Sequence, residues 1–199
     1  MSQTLSSIRV GIGRDRFDQG THVCLVFRDE AERRKIVSKF VESGIVDGER
    51  VFYFADSAGL GDVVAWLRAL DVDVAPYKES EDFTIDGAAE TYCPDGRFDP
   101  DRMCSKLKTA YTSSRQQGYP ASRVTGEMSW ALRGMPGSDR LIEYEAAINT
   151  VVETHPITAM CQYDANRFPG ETIFQALQVH PYMVMNGQLV KNPYYRART

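Results

Sequence analysis

The sequence predicts an α/β domain: a three-layer arrangement with a mostly parallel central sheet, helices on both faces and a C-terminal antiparallel hairpin. Three observations carry this. Runs of apolar residues at 22–27, 50–55 and 157–163 lack a polar face, as strands buried on both sides do. Between such runs lie stretches with apolar residues at helical spacing. Near the C-terminus, Asn186-Gly187 separates two apolar segments, which is the strongest short hairpin signal in the chain.

Taken in order, residues 1–20 are polar and without sustained period, so they read as a flexible lead-in with at most a short strand near 8–12. In the strand 22–27, Val23, Leu25 and Phe27 face one way and His22, Cys24 and Val26 the other. Asp29 is placed to cap the next helix, with Glu32 set for the reciprocal bond of a capping box. Ile36, Val37, Phe40 and Val41 form that helix's buried stripe, and Gly44 is expected to end it in the left-handed C′ position. After the strand 50–55, Asp56 and Ser57 are expected to start a helix with a stripe of Val63, Val64, Leu67 and Leu70. A short strand is expected at 83–85. Pro94, Gly96 and Pro100 make 90–100 turn-rich. Asp99-Pro100 is a cap and first-turn pair for a helix over 100–117, burying Met103, Leu107 and Ala110 or Tyr111. The remaining elements read as a strand at 122–130, a helix at 138–153, a strand at 157–163 and a short helix at 171–179. On the 138–153 helix, Leu141, Tyr144 or Glu145, Ile148 and Val152 share one face.

With 199 residues, 43% hydrophobic and 25% charged, the chain has the size and composition of one globular domain. A formal charge of −4 gives no nucleic-acid footprint, and basic residues near the ends (Arg14, Arg16, Lys191, Arg196, Arg198) are scattered. No apolar run approaches the ~20 residues of a membrane span, and residues 1–20 lack the apolar core of a signal peptide. Four cysteines without a CxxC pair suit a reduced, cytoplasmic protein.

The turn at 28–32, Arg-Asp-Glu-Ala-Glu, lies where many nucleotide-binding α/β proteins carry a phosphate loop. Such a loop needs glycines, a lysine and a Ser or Thr. Here three carboxylates occupy the helix start, where the helix dipole would otherwise attract phosphate. A ligand at this rim is therefore expected to be neutral or cationic, although Arg28 offers a partner for an acidic head group.

Candidate ligand-binding residues are His22, Cys24, Arg28, Glu127, Trp130 and Tyr163. His22 and Cys24 share a strand face and can touch one ligand, or serve as a satisfied core histidine and a core thiol. They are two ligands short of a structural zinc site, so no metal and no cofactor is expected. His155, Cys161 and His180 would add ligands only if the fold converged them. Glu127 is a carboxylate inside a core-like run near a strand end, where α/β sheets bind ligands; its structural alternative is an ion pair with Arg123, Arg133 or Arg28. Asp56, Ser57 and Asp164 share that rim. Tyr92, Phe98, Met128, Trp130 and Tyr163 can line an apolar pocket or act as core lids. Glu143, Tyr144, Glu145 and Asn149 share a helix and read as a solvated face, or as a homodimer or partner contact.

Several collinear segments resemble one family: the His22-Val-Cys-Leu-Val-Phe start, Gly48-Glu-Arg-Val-Phe-Tyr-Phe-Ala55, Asp95-Gly-Arg-Phe-Asp-Pro-Asp-Arg-Met103, Gly126-Glu-Met-Ser-Trp-Ala-Leu-Arg-Gly134, Glu143-Tyr-Glu, Asn149, His180-Pro and Asn192-Pro-Tyr-Tyr195. Together they look like the MEDS domain, the methanogen/methylotroph, DcmR-like sensory domain. The resemblance covers 21–195 as one sensory domain, with 1–20 as lead-in and 196–199 as tail. It implies a RecA/KaiC-like fold without the Walker-type loop, no catalytic residues, and sensing of a small organic, hydrocarbon-derivative-like molecule for transcriptional or signalling control. No DNA-binding or kinase module is expected beside the domain, so output is expected through a separate protein partner, without direct nucleic-acid or membrane contact.

Overall fold

The computed structural model describes residues 7–13, 16–57 and 59–197. Residues 1–6 of the expected lead-in, with Arg14, and residues 198–199 of the tail lie outside the described residues. In chain order the elements are β1 (Ser7–Arg9), β2 (Arg16–Asp18), β3 (His22–Phe27), α1 (Glu30–Val46), β4 (Arg50–Ala55), α2 (Leu60–Ala69) and α3 (Ala75–Glu79). They continue with β5 (Phe83–Gly87), α4 (Ala88–Tyr92), α5 (Pro100–Gln116), β6 (Ser122–Glu127), α6 (Leu141–Thr154), β7 (Thr158–Asp164), α7 (Gly170–Val179), β8 (Tyr182–Met185) and β9 (Gln188–Lys191).

The main sheet runs β5-β4-β6-β7-β3-β8-β9, and every neighbouring pair is parallel except the β8–β9 hairpin. Asn186 and Gly187 both have positive φ (51° and 68°), which the two-residue hairpin turn requires. Side chains alternate across the sheet and divide the core in two. Val23, Leu25 and Met160 pack with α1 and α2 on one face. Cys24, Ala159 and Cys161 pack with α5, α6 and α7 on the other. The three-layer arrangement with an antiparallel edge is thus the one the sequence predicts.

Four local expectations are corrected. Helix α1 passes through Gly44 and ends at Val46, and the left-handed residue that stops it is Gly48 (φ 70°). Gly44 is a packing glycine: a Cβ there would lie 2.7 Å from Arg123 Cδ and 2.8 Å from Val51 Cγ2. Asp56 and Ser57 do not cap α2, which begins at Leu60 with Gly59 in the cap position, and Leu70 at its end is exposed. The 122–130 strand stops at Glu127, and Met128–Arg133 coils into 3₁₀ turns. The described residues of the lead-in pack on the domain. β1 and β2 form an antiparallel ribbon, and Ile8, Val10 and Ile12 alternate into the α1-side core.

Two expected caps hold. Asp29 Oδ1 accepts the N–H of Glu32 at 2.8 Å, and Asp99 Oδ1 accepts that of Arg102 at 2.9 Å ahead of Pro100. All four cysteines are free and buried, and no described helix is long and apolar enough to cross a membrane.

Candidate functional site

Parallel strands of an α/β sheet end together, and the crevice beyond their carboxyl ends is where the fold can expose polar groups without breaking its core. Here β3, β6 and β7 end beside the first turn of α1 around a pocket of about 260 Å³. Phe27, Glu30, Arg34, Ser57, Glu127, Ser129, Gln162, Asp164 and Arg167 line it.

Its floor is a buried polar network. Glu127 is the last residue of β6, on the α1 face. One carboxylate oxygen accepts from Arg33 Nη1 at 3.0 Å and from the Tyr53 hydroxyl at 2.8 Å. The other accepts the backbone N–H groups of Asp56 and Ser57 at 3.1 and 2.7 Å and the Ser57 hydroxyl at 2.5 Å. Arg33 also donates to Gln162 Oε1 at 2.8 Å and doubly to Glu30. The cation beneath Glu127 is therefore Arg33, one helical turn into α1, and none of the three arginines considered from sequence. Arg123 lies at the opposite end of β6 with Glu49, and Arg133 pairs with Asp56. Arg28 is exposed beside the rim.

Burial pushes the Glu127 carboxyl upward, but the Arg33 charge and the Ser57 hydrogen bonds outweigh it and hold the group below the usual glutamate value. A carboxylate with a depressed folded pKa binds fewer protons folded than unfolded. Its stabilisation is complete above about pH 4.5, the ordinary glutamate value, and is lost as pH falls through the folded value. Urea midpoints measured from pH 6 to pH 3 are therefore expected to fall less steeply for Glu127→Gln than for the parent chain. Equal slopes would show that Glu127 is not held ionised by this network.

A second polar cluster lies on the other face of the sheet. Glu145 of α6, which the sequence offered both to the buried stripe and to a solvated face, is fully buried because it continues the Leu141–Ile148–Val152 stripe. Its Oε1 accepts the Tyr163 hydroxyl at 2.5 Å and its Oε2 accepts the Cys161 thiol at 3.2 Å. His22 Nε2 and His180 Nε2 approach the same Oε2 at 3.3 and 3.4 Å. Burial and the neighbouring His180 lower the His22 pKa to about 4, so its imidazole is neutral near pH 7, and burial pushes the Cys161 thiol well up. The ligand atoms of His22, Glu145, Cys161 and His180 all lie within 4.8 Å of one another.

The six sequence candidates thus separate. Glu127 floors the rim pocket. His22 and Tyr163 belong to the buried cluster, and Cys24 packs in the core on the same face. Trp130 is fully buried, stacked on Tyr92 at 4.7 Å and tilted against Phe98 at 4.6 Å, away from the pocket lining. His155 stays outside the cluster, against Thr154 and Tyr111. Arg33 and Gln162 were missed, and Glu145 was named without its place in the buried cluster. Glu145 had a visible signal, since its spacing from Leu141, Ile148 and Val152 is that of the buried stripe.

Fold and rim together define a KaiC-like α/β domain whose first strand–helix turn has neither the glycines nor the lysine of a phosphate loop. The structure is similar to a KaiC-like protein from Pyrococcus horikoshii OT3, with a TM-score of 0.63 at 14% identity over 90% of this chain and 79% of that one. A Pyrococcus horikoshii protein solved with an unknown peptide gives 0.63 at 13% identity over 87% and 82% of the two chains. The flagellar accessory protein FlaH from Methanocaldococcus jannaschii gives 0.55 at 9% identity over 84% and 74%. At these identities the likeness concerns the fold alone. Residues 21–181 match the profile of the MEDS family, the methanogen/methylotroph, DcmR sensory domain, and the chain belongs to that family. It is also 26% identical over 160 residues to the transcriptional repressor DcmR of Methylorubrum extorquens; the match takes in 80% of this chain and 57% of that protein's length.

Proposed function

We propose that this chain is a noncatalytic, cytoplasmic sensory module that binds a small neutral organic molecule in the rim pocket and reports it to a separate protein partner. The observation that carries the reading is the Glu127 network at the strand ends of a domain belonging to a sensory family. Glu30, Glu127 and Asp164 are offset by Arg33, Arg34 and Arg167, so the pocket favours no strong net charge, and the acidic α1 start disfavours a triphosphate. The same contacts offer a route for the relay. A ligand that hydrogen-bonds Glu127 competes with Ser57, and Asp56 next to it holds Ser129 at 2.7 Å and Arg133 at 2.6 Å. Occupancy would thereby shift the β4–α2 and β6–α6 connections, the surface offered to a partner.

Thermal denaturation with short-chain alcohols, aldehydes, methylamines and halomethanes tests this, with Mg–ATP alongside. A compound present at 100 times its Kd is expected to stabilise the fold by about 2.7 kcal/mol. The shift should shrink in Ser57→Ala and Arg167→Ala, measured against each variant's own ligand-free melting point. Stabilisation by Mg–ATP with none from the organic compounds would overturn the reading.

A further inference from the structure

We propose that His22, Glu145, Cys161 and His180 form a buried tetrahedral site for Zn²⁺, on the sheet face opposite the rim pocket and independent of what that pocket binds. The argument begins with protons. His22 Nδ1 lies 3.0 Å from Asn149 Oδ1, and the Asn149 amide is oriented by donating from Nδ2 to the Val179 carbonyl at 2.7 Å. His180 Nδ1 lies 2.7 Å from the Ala176 carbonyl. Both partners only accept, so both histidines carry their ring proton on Nδ1. In the neutral rings each Nε2 then presents a lone pair to Glu145 Oε2, itself an acceptor, at 3.3 and 3.4 Å. His180 Nε2 is fully buried and has no hydrogen-bond partner among the described residues. Lone pairs converging in a dry interior are costly unless a cation lies between them.

Distances and charge select the ion. Zn–N, Zn–O and Zn–S bonds of about 2.0–2.3 Å in a tetrahedron place the ligand atoms roughly 3.3–3.6 Å apart. The Cys161–Glu145, Glu145–His22, Glu145–His180 and Cys161–His22 separations are 3.2, 3.3, 3.4 and 3.6 Å, and all four ligand atoms lie within 4.8 Å of one another. Coordination would release the Cys161 thiol proton to solvent. One thiolate and one carboxylate then balance Zn²⁺ with two neutral imidazoles, leaving no net buried charge. A mixed nitrogen, sulfur and oxygen set suits a borderline ion rather than Mg²⁺ or Ca²⁺. Asn149 and the Ala176 carbonyl are the outer partners that orient metal-bound histidines, and Tyr163 holds the second oxygen of Glu145. The ion would join β3, α6, β7 and the α7–β8 junction, ligands up to 158 residues apart in the chain (His22 to His180).

The test is to refold the full chain from urea, under a non-chelating reductant, with equimolar Zn²⁺ or Co²⁺. Metal is then counted after gel filtration, and the Co²⁺ optical spectrum recorded. About one ion per chain is expected, with a near-ultraviolet thiolate-to-cobalt band that survives in Cys24→Ser and disappears in Cys161→Ser. Asn149→Ala should weaken Zn²⁺ about 10–100-fold in chelator competition. The parent chain alone keeps the proposal falsifiable if a variant fails to fold. Natively folded protein that retains no metal overturns it, as does a folded metal-free chain whose ¹⁵N spectrum shows an imidazolium at His22 or His180 near pH 7. A cobalt band that persists in Cys161→Ser also overturns it.

Discussion

Replacing Glu49 by alanine is expected to remove about 3–5 kcal/mol of folding stability, because it leaves the Arg123 guanidinium buried without a counter-ion. Both side chains are essentially inaccessible. Arg123 uses its full donor capacity: Nε and Nη2 on the two oxygens of Glu49, Nη1 on the Phe40 carbonyl at 2.9 Å and the Ser43 hydroxyl at 2.7 Å, and Nη2 again on the Arg9 carbonyl at 3.1 Å. The guanidinium also lies over the Phe40 ring at 5.1 Å. One residue of β6 thereby fastens the N-terminal ribbon, the end of α1 and the entry to β4. Glu49→Gln retains hydrogen-bonding capacity and loses only the charge, so its loss should be smaller. Urea unfolding followed by circular dichroism measures both. A loss below about 1 kcal/mol for Glu49→Ala would mean that water or another carboxylate reaches Arg123.

Trp130→Ala is expected to cost a similar ~3–5 kcal/mol, the range for removing a buried aromatic side chain. Trp130 stacks nearly parallel to Tyr92, with an interplanar angle of 14°, and Tyr144 meets Tyr92 and Phe98 edge-on at 6.0 and 5.6 Å. Tyr92 and Phe98 therefore lose a direct partner, and Tyr144 packs on both of them. For a chain of this length the loss corresponds to a Tm lower by on the order of 10 °C. Trp130→Phe should lose much less: it keeps an aromatic ring and removes an indole N–H that has no partner among the described residues. A change below about 1 kcal/mol for Trp130→Ala would show that this ring is not packed as a core side chain.

The element order was legible because it is written in local signals. Apolar runs marked β3, β4 and β7, Asp29 and Asp99 marked helix starts, and Asn186-Gly187 marked the hairpin. Where local reading slipped, a distant residue had intervened. Gly44 resembles a helix stop, yet it stays helical because Arg123 needs the space a side chain would fill. Glu127 was recognisable as an anomalous carboxylate, but its partner was not, since Arg33 looks like any other charge on an amphipathic helix.

The chain's own pattern determined the α/β architecture, the absence of glycine and lysine from the turn after β3, and the short list of polar residues inside apolar runs. Tertiary structure decided their company. It set Arg33 under Glu127, sent Trp130 into an aromatic core, and brought His22, Glu145, Cys161 and His180 together from four separate segments. The physical reason is range. Periodicity and caps act over a few residues and can be read along the chain, whereas a buried charge is satisfied by whichever residue the sheet order and helix packing bring within about 3 Å.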